Sequence, residues 1–267
     1  MLVLAGGGLH GGHFTLELVE LLKRADVVYV EDYTMPGGVS LLGEVRRFNP
    51  RARRASRSLL EEGVDEVLSE AASRLVVIVT GGHPLIATTH VSIVAEARSR
   101  GIGVKVLQGV SGVVAAMTVA GLDFYKYGRV VTIPGPWRMV EPYSIIEYIY
   151  MNTLAGLHTL ALLDIDEDRR QLCVGDALEV LARLDTLGVL RGVDVVIVED
   201  AGLEEERVWH ARVGMTNRCQ EGVASIVLPL AASRIEAEML HKIHGIKLDL
   251  GKLEAVREKI RVWYMRG

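Results

Sequence analysis

Carboxamide side chains are nearly missing from this chain: asparagine and glutamine occur three times each in 267 residues, against 23 arginines and seven lysines. Few thermolabile amides suit a protein that works hot, although the arginine excess alone is equally explained by genome composition. Cysteine is also scarce. Cys173 and Cys219 are too few for a disulfide framework or a cysteine metal cluster; one bond between them is possible, but a chain of this length does not need it. There is no excess of basic charge, the net charge being −4, so no global field favours nucleic acid and no direct nucleic-acid binding is expected. No apolar run reaches the ~18 residues of a membrane span. Leu2-Val3-Leu4 follows the first residue with no basic stretch of the kind that opens a secretory signal. A soluble, cytoplasmic protein is therefore expected. The chain also lacks a G-x-x-x-x-G-K-[ST] phosphate loop and a G-x-S-x-G nucleophile elbow, which leaves nucleotide hydrolysis and serine hydrolysis without a motif.

What is present is an alternation of strand and helix patterns. Met1–Ala5 is an apolar run ending at Gly6-Gly7-Gly8, and Thr15 is placed to cap an amphipathic helix through Ala25. Strands are predicted at Val27–Glu31, Leu75–Val79 and Val104–Leu107, with helices at Ser58–Ser73, Val91–Arg100 and Val113–Ala120. The unbroken β-branched run at Leu75–Val79 predicts a strand covered on both faces. Such alternation calls for a mostly parallel sheet, and ligands then bind beyond the carboxyl ends of its strands. Three loops at those ends carry glycine: Gly6-Gly7-Gly8, Gly81-Gly82, and Gly109 to Gly112 around Ser111. Val130–Ile133 reads as a last strand of this half. Pro134-Gly135-Pro136 then breaks regular structure, so the expected domains are 1–133 with a parallel sheet and 134–267 with a mixed one. In the second half, strands are predicted at Leu157–Asp164, Val193–Glu199, Val208–Val213 and Ala224–Leu228. Helices are predicted near Tyr143–Asn152, Cys173–Leu184, Ser233–His244 and Lys252–Tyr264.

Gly6, Gly8 and Gly11 spell G-x-G-x-x-G after a strand, with Glu31 or Asp32 about 20 residues on, as in a dinucleotide fold. Against that, the helix starts only near Thr15, too late to point its N-terminus at a pyrophosphate. His10 with His13, and His241 with His244, are spaced i, i+3, yet neither cysteines nor paired carboxylates complete them, and no metal site is expected. Six arginines, Arg46, Arg47, Arg51, Arg53, Arg54 and Arg57, make either a solvated face or a docking surface for an acidic or RNA-associated partner.

Several segments in order are more specific. They are Gly6–Leu9 (G-x-G-L), Glu31–Thr34 (E-x-Y-T), Pro84–His90 (P-L-x-A-T-T-H), the turn at Ser111, Gly121-Leu122 with Tyr125–Gly128, Gly156–Ile165 (G-L-H-T-L-x-x-L-D-I), Ala201-Gly202, and Glu236–Glu238 (E-A-E). This set resembles the diphthine synthase family, a branch of the tetrapyrrole-methylase-like fold, over nearly the whole chain. The resemblance implies two α/β domains with a cofactor cleft between them, S-adenosyl-L-methionine as cofactor, and a homodimer of the archaeal and eukaryotic kind. Its implied activity is methyl transfer to the amino group of a 3-amino-3-carboxypropyl arm on a histidine of translation elongation factor 2, in diphthamide biosynthesis; the archaeal branch transfers three methyl groups. Carried over position by position, the implied cofactor contacts are Leu9, His83, Ile86, Ser111, Gly112, Leu163, Ala201 and Ser225. Two positions depart from the family pattern. Relatives commonly have G-D-P where this chain has Gly82-His83-Pro84, and Ala224-Ser225 stands where bulkier residues are usual.

Methyl transfer from a sulfonium to a free amine is an in-line displacement governed mainly by alignment, so a dedicated base is optional. Tyr33, His83, His90 and Asp164 are candidates for orienting or assisting. Two other readings remain: a related methylase acting on a corrin-type macrocycle or ribosomal RNA, and a non-catalytic nucleotide-sensing protein. Macrocycle enzymes commonly open G-x-G-P-G-D-P, and this chain has neither Pro nor Asp within Gly6–Gly12.

Overall fold

The computed structural model describes residues 1–31, 33–35, 40–166 and 168–266; Asp32, named above, lies outside them. The chain groups into two compact units, Met1–Val114 and Ala115–Gly267.

The first unit is a five-stranded sheet of β1 (Leu2–Gly6), β2 (Val27–Glu31), β3 (Arg53–Arg54), β4 (Val76–Thr80) and β5 (Val104–Leu107), ordered β3-β2-β4-β1-β5 with every pair parallel. Because strand side chains alternate, Leu2 and Leu4 face one layer with Ile78, Leu68 and Ile93, while Val3 and Ala5 face another with Val77, Leu18 and Leu22. Helices cover both faces, which is why β1 and β4 are apolar at nearly every position. Each fully buried Leu, Ile or Val contributes about 1.5–3 kcal/mol relative to exposure. Thr15 caps the helix Leu16–Arg24 as predicted, its hydroxyl accepting from the Leu18 N–H at 3.1 Å. The predicted helix Ser58–Ser73 is instead two, Arg57–Glu61 and Val64–Ala71. The Ser58 carbonyl accepts from the N–H groups of both Glu62 and Gly63, which closes the first helix before the second begins. A short helix at Leu41–Arg46, capped by Ser40, was not predicted.

The second unit is a mixed sheet of β6 (Val131–Ile133), β7 (Thr159–Leu163), β8 (Asp194–Glu199), β9 (Arg207–Arg212) and β10 (Ala224–Leu228), ordered β6-β7-β10-β8-β9. Only β6 and β7 run parallel. The strand expected to end the first half therefore begins the second sheet. The physical reason is packing: Val131 and Ile133 share a core with Ile146 and Ile149 of the helix Tyr143–Leu154, which crosses from β6 to β7. Pro134-Gly135-Pro136 is thus a turn inside this unit. Cys173 and Cys219 are joined in a disulfide, with Cα atoms 4.8 Å apart.

Among the described residues no helix is long and apolar enough to cross a membrane.

Candidate functional site

The three glycine loops of the first unit meet. A Cβ on Gly109 would lie 2.3 Å from the Gly82 carbonyl oxygen and 2.7 Å from the Gly6 Cα, so these backbones touch only because none carries a side chain. Gly8 and Gly82 exchange backbone hydrogen bonds, and both have positive φ (68° and 66°). Leu9 leans over Gly112, its Cδ2 lying 3.4 Å from where a Cβ would stand. Leu9 is held from behind: its N–H donates to His13 Nδ1 at 3.2 Å, and His10 Nδ1 accepts from Gly12. The two imidazoles shape this loop. The helix beyond it begins only at Leu16, as the late Thr15 cap predicted.

His83 stands at the next loop, and its two ring nitrogens have separate partners. Nδ1 accepts from the Leu85 N–H at 3.1 Å, which makes Nε2 the N–H that donates to Gln108 Oε1 at 2.6 Å. The imidazole thereby replaces the backbone contact that an aspartate makes two residues on in such a turn, and it adds a tie to the third loop. Ile86 follows in the same turn, and Ala87 adopts a positive φ of 57°. Ser111 is buried and precedes the helix Gly112–Val119. Thr80, fully buried at the end of β4, has a hydroxyl with no hydrogen-bond partner among the described residues. Leu9, His83, Ile86, Ser111 and Gly112 thus lie together around the converging loops.

The three residues of the second unit that the resemblance implies as cofactor contacts gather at one end of its sheet. Leu163 closes β7, and Ser225 pairs with its neighbour Leu162 at the start of β10. Ala201 follows β8 in a turn tied to that start. The Asp200 N–H donates to the Val223 carbonyl at 2.7 Å, and Asp200 Oδ1 accepts from the Val223 N–H at 2.8 Å. Asp200 has φ 52°, and a Cβ on Gly222 would collide with its carboxylate, so both residues fix the turn.

The candidates for acid–base duty are otherwise engaged. Burial raises the Tyr33 hydroxyl well above its ordinary value, with the Glu31 charge adding to it, so it stays protonated. Burial lowers His90, which sits over the Pro84 carbonyl at 3.3 Å through Nδ1. Thr88 donates to the same carbonyl, so the P-L-x-A-T-T-H segment is a self-bonded turn. Asp164 accepts from the Gly135 N–H, the Trp137 indole, the Arg138 guanidinium and the Ile165 N–H. Burial opposes its ionisation, yet these donors outweigh that and hold it below the usual carboxylate range.

Sequence reasoning missed a buried polar cluster that joins three of the motif segments. Glu236 accepts from Lys126 Nζ at 2.5 Å and is 2.9 Å from His158 Nε2, while His158 is fully buried. His158 and Lys126 also share backbone bonds, the His158 N–H donating to the Lys126 carbonyl at 2.6 Å. This cluster ties the turn at Lys126 and the residue before β7 to the first turn of the helix Arg234–His244. The one available signal was the presence of a lysine, a histidine and a glutamate in three of the motif segments. Gln108 and Asp200 carried no sequence signal.

A family model described as Tetrapyrrole (Corrin/Porphyrin) Methylases matches residues 1–216, and the chain belongs to that family of methyltransferases. Within it, the chain is 40% identical to the diphthine synthase of Aeropyrum pernix, over 97% of this chain and 94% of that one. The fold matches the crystal structure of a conserved hypothetical protein from Aeropyrum pernix with TM-score 0.90 and 39% identity, covering 98% and 96% of the two chains. A crystal structure of a diphthine synthase matches with TM-score 0.81 and 27% identity, covering 96% of this chain and all of that one.

Proposed function

We propose that the chain is a diphthine synthase. In this reading it transfers methyl groups from S-adenosylmethionine to the amino group of the 3-amino-3-carboxypropyl arm on a histidine of translation elongation factor 2. The observation that carries the reading is the 40% identity with a diphthine synthase across 97% of the chain.

The cofactor supplies an electrophilic methyl group on a sulfonium centre. The residues present fit such a group: Gly6, Gly82 and Gly109 draw three strand-end loops onto one another, and Leu9 lies beside them as an apolar side chain against Gly112. Leu9, His83, Ile86, Ser111 and Gly112 are assigned as cofactor contacts, and Leu163, Ala201 and Ser225 are assigned by the resemblance alone. The role of these residues is alignment, since an amine needs only to be neutral and held ~3–3.5 Å from the carbon it attacks. A neighbouring cation favours the neutral amine electrostatically. No side chain is assigned as a base: Tyr33 stays protonated, His90 is committed to a carbonyl, and Asp164 is saturated with donors.

The reading carries with it a cytoplasmic homodimer with elongation factor 2 as its protein partner. As a docking surface for that partner the arginine cluster is poor, because its members are largely engaged within the chain, and a second segment has to be weighed against it. Arg47 pairs with Glu44, Arg53 with Glu70 and Arg57 with Glu61, and Arg46 donates to the Ala52 carbonyl. The 134–142 segment, with an exposed Trp137, is the better one.

The test is transfer of labelled methyl from S-adenosylmethionine, offered in parallel to elongation factor 2 bearing the arm, to unmodified elongation factor 2, and to a tetrapyrrole. Label only in the arm-bearing protein is expected. Label in the tetrapyrrole, or in unmodified elongation factor 2, overturns the assignment.

A further inference from the structure

An open groove of about 530 Å³ in the second unit runs beside β6, an edge strand whose only sheet partner among the described residues is β7. The successive residues Arg129, Val130, Val131 and Thr132 line it on the strand side, and Ser144, Ile145 and Tyr148 line it from the helix Tyr143–Leu154, so the groove runs along β6 beside that helix. The Ile133 carbonyl accepts from the Asp164 N–H and so points at β7. By the alternation of a parallel ladder Val131 points there too, which turns the N–H and C=O groups of Val130 and Thr132 to the open side. Such an edge is a template for an added strand.

One end of this groove carries a prepared cation. The Arg129 guanidinium stacks on the Tyr148 ring at 3.6 Å. Its backbone is pinned on both sides by the buried Asn152, which accepts from the Arg129 N–H and donates to the Arg129 carbonyl, each at 2.9 Å. A guanidinium stacked flat keeps its in-plane donors free for a carboxylate. The other cation in the groove, Arg138, is bonded to Asp164. Arg129 has no carboxylate partner among the described residues, so the groove holds one positive charge in excess. The Asp164 end adjoins Leu163, an assigned cofactor contact, and four residues of strand at about 3.3 Å each put Arg129 roughly 13 Å away.

We propose that this groove is the track on which the protein substrate docks: an extended segment pairs with Val130 and Thr132 along the open edge of β6, and an acidic side chain about four residues from the acceptor binds Arg129. The inference rests on the diphthine synthase reading, and it commits to a peptide of the substrate and not to a second copy of this chain.

Thr132→Pro removes an N–H from the open edge without touching the β7 ladder, and Arg129→Glu reverses the anchoring charge. Each is assayed with arm-bearing elongation factor 2, alongside binding of S-adenosylhomocysteine and sedimentation velocity. A rise of tenfold or more in KM for the protein substrate is expected in both variants, with kcat and the S-adenosylhomocysteine Kd within twofold of wild type. If wild type methylates the substrate but both variants keep its KM, the reading stands and the track is wrong. If the variants change only the sedimentation of the protein, the edge is a subunit contact and the proposal falls. No methylation by wild type overturns the functional reading and the track with it.

Discussion

His83 and Gln108 tie two glycine loops together through a 2.6 Å hydrogen bond from Nε2 to Oε1, while the other ring nitrogen of His83 accepts from the Leu85 N–H. The imidazole keeps the turn closed, a backbone contact that an aspartate side chain can also make. His83→Asp is therefore expected to retain S-adenosylhomocysteine affinity within about threefold. His83→Ala loses both bonds, at ~1 kcal/mol each, and should weaken affinity by about tenfold or more. Isothermal titration of the three proteins decides it, and equal affinities for wild type and His83→Ala would refute the role.

Gly109 should tolerate nothing larger. An added methyl would stand 2.3 Å from the Gly82 oxygen, against backbone that has no flexible end to swing away. Gly109→Ala is expected to abolish detectable cofactor binding, with the melting temperature also lowered. Gly101 has positive φ but nothing within 4 Å, so Gly101→Ala serves as the control: it should cost only the backbone term of about 1 kcal/mol and leave binding intact.

Glu236 links acid stability to the motif segments. Burial opposes its ionisation, but the bonds from Lys126 and His158 prevail and bring it from 4.5 down to about 2. A depressed carboxyl contributes stability that is complete above its unfolded value and is lost as pH falls through its folded one. That contribution, on the order of 3 kcal/mol, should disappear between about pH 4.5 and pH 2. Unfolding of wild type and Glu236→Gln followed by denaturant titration should show a gap at pH 7 that narrows steadily across this window. A gap independent of pH would assign the loss to packing.

Cys173 and Cys219 close a loop of 46 residues, for which chain entropy predicts a stabilisation of up to about 4 kcal/mol. The bond also holds the segment leading to β10, where Gln220 bonds the Leu172 carbonyl and the Val174 N–H. Replacing both cysteines by serine should lower the melting temperature. A reducing agent should do the same to wild type and leave the double variant unchanged; an effect of the reductant on the serine variant would point elsewhere.

Much of this was readable from the sequence, because period and glycine placement are local signals. The run at Leu75–Val79 could only be a doubly covered strand, and the three glycine loops had to lie at strand ends. Partnership is not local. Val131–Ile133 has the same pattern whichever sheet it joins, and only the shared core with Ile146 and Ile149 decides. The break at Gly63 depends on how Ser58 spends its carbonyl. Asp164 looked like a reactive group at a strand mouth, and its saturation by Trp137 and Arg138 depends on how the Pro134 turn folds. Gln108 gained meaning only from the imidazole beside it.

Arm-bearing elongation factor 2 is incubated with this protein and S-adenosylmethionine, digested, and its peptides weighed by mass spectrometry over time. Stepwise methyl additions confined to the peptide with the modified histidine are predicted, and their number gives the product. An unchanged peptide, under conditions where S-adenosylmethionine binding is demonstrated, would contradict the account.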